Sequence, residues 1–261
     1  MGKATFRFYA ELNDFLPRER RFRDIEYEFF GFPTVKDAIE ALGVPHVEVD
    51  LIVVNGEPVD FSYHLRDGDR VAVYPVFESL DISGVSPLRP RPLRRPRFVA
   101  DVHLGKLVRL LRLLGIDVVQ PPDPADEELV RISREEGRVL LTRDRHLLKH
   151  GGLSHGYYVR ADGAVEQARE VLRRFDLWGE VRPFTRCPVC NGSLERVPKE
   201  EVLGEIPPRT AAWLEEYSRC RSCGKLYWPG THYRRLRETV EHILTGHPRG
   251  GSSPGGEDGA G

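Results

Sequence analysis

No apolar run in this 261-residue chain approaches the roughly 20 residues that a helical membrane span requires. A basic-then-apolar leader is also missing from the first residues, which argues against export and makes the cytoplasm the expected location. Cysteine is scarce: all four residues fall between 187 and 223, as two Cys-x-x-Cys pairs. In a reducing compartment that clustering favours a bound metal over disulfides. Neither sign of charge dominates, since 39 Lys/Arg stand against 40 Asp/Glu. The balance is local, however. Residues 1–88 carry nine basic against sixteen acidic residues, a net of −7, and residues 89–112 carry eight against one, a net of +7. A neutral total therefore does not exclude a polyanionic partner, because a basic stripe supplies the attraction.

The first segment, 1–82, reads as β-rich with one helix. Residues 5–10 and 25–29 alternate apolar with polar side chains. Thr34 has N-cap character, Val35, Ala38, Ile39 and Leu42 follow a helical stripe, and Gly43 stops it. A buried-strand candidate at 51–54 ends in the turn pair Asn55-Gly56, and a last strand follows Asp67-Gly68-Asp69. Strands around a single helix suggest a β-grasp sheet. The stretch Val54-Asn55-Gly56-Glu57-Pro58-Val59 resembles the ubiquitin-like sulfur carriers of thiamine and molybdopterin synthesis, which work through a free C-terminal Gly-Gly. Here the chain runs on through Glu78 to Gly84, so the carrier chemistry is expected to be absent and a protein-docking role remains.

Residues 83–96 read as a linker. The run from Arg89 to Arg97 holds five arginines and three prolines, giving a stiff extended strap. Arg94 and Arg95 either neutralise phosphates or belong to a solvated spacer. From 97 to 178, short apolar strands alternate with amphipathic helices, the pattern of a parallel α/β sheet. Asp101 follows the strand 98–100, and Asp144 follows the apolar strand 139–142. Both sit at the strand ends where ligands of open parallel sheets collect. Asp126 opens the helix expected from about Pro124 to Glu136, and a right-handed crossover brings it to the same edge. Gathered carboxylates demand a cation, and hard oxygen ligands suit Mg²⁺ or Mn²⁺. Asp126 has an alternative as part of a cap with Asp123, Glu127 is its substitute, and His103 either ligates metal or packs beside the first helix. Lys106, Arg109 and Arg112 share a helix face, and with Arg143 and Arg145 they could follow a nucleic-acid backbone or simply be solvated.

The run Phe98-Val99-Ala100-Asp101-Val102-His103-Leu104-Gly105-Lys106-Leu107, with Leu111-Arg112-Leu113-Leu114-Gly115, resembles the opening of the Mut-seven carboxy-terminal RNase domain family. Asp126-Glu127-Glu128-Leu129 and Gly137-Arg138-Val139-Leu140-Leu141-Thr142-Arg143-Asp144-Arg145 are similar to its middle. The resemblance covers about 97–240 and extends to members with a fused ubiquitin-like N-terminus. It implies a PIN-like three-layer nuclease domain in which Asp101, Asp126 and Asp144 hold a divalent metal for cleaving RNA. A fourth acid often follows the Thr-Arg-Asp run in PIN-like sites. This chain has His146 there, which ligates metal in its place or weakens the site. A decayed site would leave a non-catalytic RNA-binding or ribosome-associated adaptor.

Cys187-Pro188-Val189-Cys190 and Cys220-Arg221-Ser222-Cys223 are separated by 29 intervening residues in the segment 183–240. Four thiolates complete a tetrahedral shell with no open position, so a structural zinc ribbon is expected; iron–sulfur ligation or redox thiols are the alternatives. The Gly/Ser/Pro-rich stretch 247–261 is expected to be a disordered tail.

Overall fold

A computed structural model describes residues 1–75, 88 and 96–246. Most of the expected linker, Arg94 and Arg95 with it, and the whole expected tail lie outside the described residues.

The N-terminal unit is a five-stranded sheet of β1 (Gly2–Phe8), β2 (Asp24–Phe29), β3 (Val49–Val54), β4 (Glu57–Val59) and β5 (Arg70–Pro75), in the order β2-β1-β5-β3-β4. β1 and β5 run parallel at its centre, and the other pairs are antiparallel. Helix α1 (Val35–Ala41) starts where the sequence places it. Thr34 Oγ1 accepts from Asp37 N, and Asp37 Oδ2 accepts from Thr34 N, a reciprocal capping box. The β3–β4 turn needs two left-handed residues, and Asn55 (φ 51) and Gly56 (φ 93) supply them. Phe6, Phe8, Ile39, Ile52 and Val73 are sealed between sheet and helix. Each contributes about 1.5–3 kcal/mol by leaving water. This is a ubiquitin-like β-grasp unit.

The second unit is a parallel sheet in the order β7-β6-β8-β9, built from β6 (Phe98–Ala100), β7 (Val118–Val119), β8 (Val139–Thr142) and β9 (Gly156–Tyr158). Its strands are short and apolar on both faces, as a sheet covered on both sides requires. Phe98, Ala100 and Leu141 point into one core with α2 (Gly105–Leu113) and α4 (Ala164–Arg174). Val99 and Leu140 point into the opposite core with α3 (Asp126–Glu136). The period-two alternation thus divides the helices into two outer layers.

Two sequence expectations shift. Helix α3 begins at Asp126 rather than Pro124, with Ala125 as an N-cap that makes no side-chain bond. A last helix, α6 (Thr231–Leu244), runs beyond the expected end of the cysteine segment and packs on α4, sending Val240 and Ile243 into the α/β core. The cysteine segment itself forms an antiparallel sheet of β10 (Leu194–Val197), β11 (Tyr217–Cys220) and β12 (Leu226–Tyr227). A short helix, α5 (Pro208–Ala211), lies in the excursion between β10 and β11, which has its own small core of Val202, Ile206, Leu214 and Tyr217.

Candidate functional site

The carboxyl edge of the parallel sheet carries Gln120 just past β7, Asp101 past β6, Thr142 ending β8 with Asp144 two residues on, and Arg160 past β9. Asp101 caps the single turn Val102–Leu104, accepting from His103 N at 3.3 Å, and is 7% exposed. Its Oδ2 accepts from Thr142 Oγ1 at 2.9 Å, and the same Oγ1 accepts from Asp144 N at 2.9 Å. Thr142 is fully buried, and its hydroxyl links the Asp101 carboxylate to the backbone of Asp144. Gln120 Nε2 donates to the Asp101 carbonyl at 2.7 Å, joining a third strand end to that link. Asp144 folds its own loop by accepting from His146 N at 2.7 Å and Leu147 N at 3.4 Å.

Neither Thr142 nor Gln120 was singled out from the sequence. The signal available for Thr142 was a polar residue closing a wholly apolar strand, one position before the residue preceding Asp144.

Asp126 opens α3 at the carboxyl end of the neighbouring β7 and is exposed, as is Glu127. The cap with Asp123 does not form. The three aspartates share an edge but do not meet: among the described residues, the only group of three or more potential ligands within 4.8 Å of one another is the four cysteines. His103 and His146 are exposed on the rim.

The basic residues divide. Lys106 and Arg109 stand exposed on α2, which follows the turn that Asp101 caps. Arg143 stays near the edge, bonded to Ala161 O and Asp162. Arg145 is turned toward the β-grasp unit, donating to Asp14 O at 3.1 Å and Phe15 O at 3.4 Å.

Arg112 corrects the expected basic helix face. It is 6% exposed and donates to Val118 O, Pro188 O and Val189 O, locking α2 to the first cysteine knuckle. Buried among carbonyls, it cannot follow a phosphate backbone. The substitution Arg112→Ala is expected to cost about 3 kcal/mol of unfolding free energy in urea, because three carbonyls lose a charged donor, with nucleic-acid affinity unchanged.

Asp117 completes this seam, accepting from Arg138 (2.7 Å), Asn191 (2.8 Å) and Arg186 (3.3 Å). Burial alone would push its carboxyl up; the bonds from Arg138 and Asn191 and the charges of Arg186 and Arg138 outweigh that and hold it below the usual range.

The four cysteine sulfurs form the second centre, with Cys187 to Cys223 at 3.8 Å and Cys190 to Cys220 at 3.4 Å. Those separations are too long for disulfide bonds of about 2.05 Å. They are close to the roughly 3.8 Å edge of a tetrahedron with 2.3 Å metal–sulfur bonds. Gly192 is required behind this pair, since a Cβ there would press on Cys220 Sγ at 2.8 Å. Burial opposes ionisation of Cys187, but the Tyr227 hydroxyl at 3.0 Å and the N–H groups of Cys190 and Val189 pull its thiol down to about 6. Cys190 goes the other way, pushed up to about 12 by burial and by the sulfurs of Cys220, Cys223 and Cys187. One thiolate is readily held at Cys187, and Cys190 resists joining it unless a cation neutralises the group.

Residues 96–240 match the family model described as "Mut7-C RNAse domain", and residues 1–81 match "Mut7-C ubiquitin". No curated protein matches the chain significantly. Two solved structures are similar to part of it. The crystal structure of SAMP1 from Haloferax volcanii is 21% identical, with 29% of this chain and 97% of that one covered and a TM-score of 0.24. A second structure, of H. volcanii small archaeal modifier protein 1, is 20% identical over 30% of this chain and all of its own, with a TM-score of 0.25.

Proposed function

The chain belongs to the Mut7-C RNAse domain family, and from that premise we propose that it is a metal-dependent ribonuclease hydrolysing RNA phosphodiesters at the edge marked by Asp101 and Asp144. The observation that carries the reading is the single threonine hydroxyl that joins the two carboxylate-bearing segments at the ends of adjacent strands. Two acids at the ends of adjacent strands suit Mg²⁺ or Mn²⁺, which keep several waters and do not need every ligand in direct contact. Asp126, with Glu127 as its substitute, would complete the acidic set from α3. A bound ion of this kind supplies charge neutralisation and an activated water. The chain's own residues do the rest. Asp101 and Asp144 hold position through Thr142, Lys106 and Arg109 offer cations to flanking phosphates, and His103 and His146 lie within the same rim as phosphate or metal contacts. Arg143 adds a further cation near the edge, and Arg94 and Arg95, outside the described residues, remain RNA contacts proposed from the sequence.

Cys187, Cys190, Cys220 and Cys223 are assigned to structural Zn²⁺, the ion that best fits four soft ligands in a closed shell. The β-grasp unit is assigned to protein contacts rather than sulfur transfer. A cytoplasmic setting, being reducing, would keep the four cysteines available to a metal. No helix among the described residues is long and apolar enough to cross a membrane.

The alternative, a non-catalytic RNA-binding or ribosome-associated adaptor, draws on one observation: the three aspartates do not close into a ligand cluster. Incubating the full chain with single-stranded RNA separates the two. Cleavage that requires Mn²⁺ and stops with EDTA supports the nuclease. Salt-sensitive binding without cleavage supports the adaptor.

A further inference from the structure

The loop that carries Asp144 is held from outside its own domain. Immediately after Asp144, the Arg145 guanidinium lies 5.3 Å from the ring centres of both Phe15 and Tyr158 while bonding the Asp14 and Phe15 carbonyls. Phe15 belongs to the β-grasp unit and meets Tyr158 of β9 edge-on at 5.5 Å. Four residues further on, Lys149 Nζ donates to Glu40 O at the end of α1, at 2.9 Å. Leu153 O faces His46 Nε2 at 2.9 Å. The β-grasp turn His46–Glu48 packs against β9 and the turn Leu147–Lys149, and Val47 enters the core formed by Val99, Leu129, Leu140, Leu147 and Leu148. Glu48 is 0% exposed. It accepts from Tyr158 N at 2.6 Å and pairs with Arg160 at 3.2 Å, and Arg160 also reaches Asp14 at 3.2 Å.

Domains joined by one chain ordinarily move against each other unless the contact is extensive and apolar. This contact has a shared hydrophobic core and a buried ion pair, and separating the units would leave both charges of that pair without a partner across the seam. It also falls on the loop that follows β8 and carries Asp144.

We infer that the β-grasp unit is a built-in part of the candidate site, with Phe15, Glu48 and Arg145 acting as positioning residues that fix the loop bearing Asp144. The inference rests on the reading of Asp144 as a metal ligand. Arg145, expected from the sequence to contact RNA, acts instead through this seam. The loop's own bonds, from His146 N and Leu147 N to Asp144, set its local turn. The β-grasp contacts set where that turn stands relative to Asp101.

The test uses the full chain with Arg145→Ala, Arg145→Lys and Glu48→Gln, the last keeping the size of a buried side chain while removing its charge. Amide hydrogen exchange is read for residues 143–150, against strands β6 and β8 as internal standards, together with kcat and KM for RNA cleavage in Mn²⁺. Exchange across 143–150 is expected to rise about tenfold in Arg145→Ala and Glu48→Gln, with the strands unchanged. The corresponding kcat is expected to fall at constant KM, and Arg145→Lys to recover part of both. Unaltered exchange overturns the inference. So does a raised KM with unchanged kcat in Arg145→Ala, which makes that residue an RNA contact, or a raised kcat in Glu48→Gln, which makes the β-grasp unit a cover over the site. A chain that does not cleave RNA at all refutes the proposed reaction, and the exchange data still decide whether the seam holds the loop.

Discussion

Asp101→Asn is expected to reduce Mn²⁺-dependent RNA cleavage at least a hundredfold while leaving the fold and RNA affinity intact. The argument begins with Thr142. Its hydroxyl donates to Asp101 Oδ2, and an asparagine oxygen accepts the same bond in the same volume, so the buried link to Asp144 survives. What disappears is one negative charge at a 7%-exposed position, where few waters can replace it. Loss of a charged ligand at a site that stabilises developing charge costs several kcal/mol of transition-state energy, and a hundredfold corresponds to only about 2.7 kcal/mol. RNA affinity is expected to persist because Lys106 and Arg109, exposed on α2, are untouched. Asp144→Asn is expected to behave alike, and the double variant to be little worse than either single one, since both side chains act through one ion. Steady-state cleavage of a labelled single-stranded RNA, with binding measured in parallel, checks each point. Additive losses in the double variant would mean that the two acids serve separate steps.

The second large effect concerns the cysteines. Stripping zinc with a strong chelator, or making Cys187→Ser, is expected to unfold the segment containing β10, β11 and β12. Its strands are four, four and two residues long, too small a sheet to persist alone. Structural zinc contributes on the order of 10–16 kcal/mol in isolated zinc-finger peptides, far more than such a sheet stores by itself. The damage is expected to spread, because Arg112 would lose the Pro188 and Val189 carbonyls and Asp117 would lose Asn191. The parallel sheet keeps its own two cores, so circular dichroism should show partial rather than complete loss, with a lowered second transition on heating. Metal analysis is expected to give one zinc per chain in the unaltered protein. Two disulfides per chain in place of a metal would overturn the assignment.

Local signals made much of the fold legible. Thr34 with Asp37 announced a helix start, Asn55-Gly56 announced a tight hairpin, and short apolar runs with an aspartate at or just past their end announced strands at an edge. Each of these is settled by neighbours within a few residues. The features that escaped are those decided by distant neighbours. Arg112 looked like one more cation on a helix face, because nothing in its own helix says that a cysteine knuckle 76 residues later will cover it. Arg145 carried the same ambiguity until the β-grasp unit was seated beside it. Thr142 was legible as a strand residue but not as the bridge between two aspartates, since that role requires the lateral order of β6 and β8. Helix α6 hid behind its charged residues, with only a narrow apolar stripe to mark it.

An active centre at the acidic edge requires a divalent ion held there. Mn²⁺ titration followed by electron paramagnetic resonance, on the zinc-loaded full chain, addresses this directly. The account expects one Mn²⁺ bound per chain, lost in Asp101→Asn and in Asp144→Asn but retained in Arg112→Ala. Mn²⁺ binding that is absent from the unaltered protein, or that survives both aspartate substitutions, would contradict it.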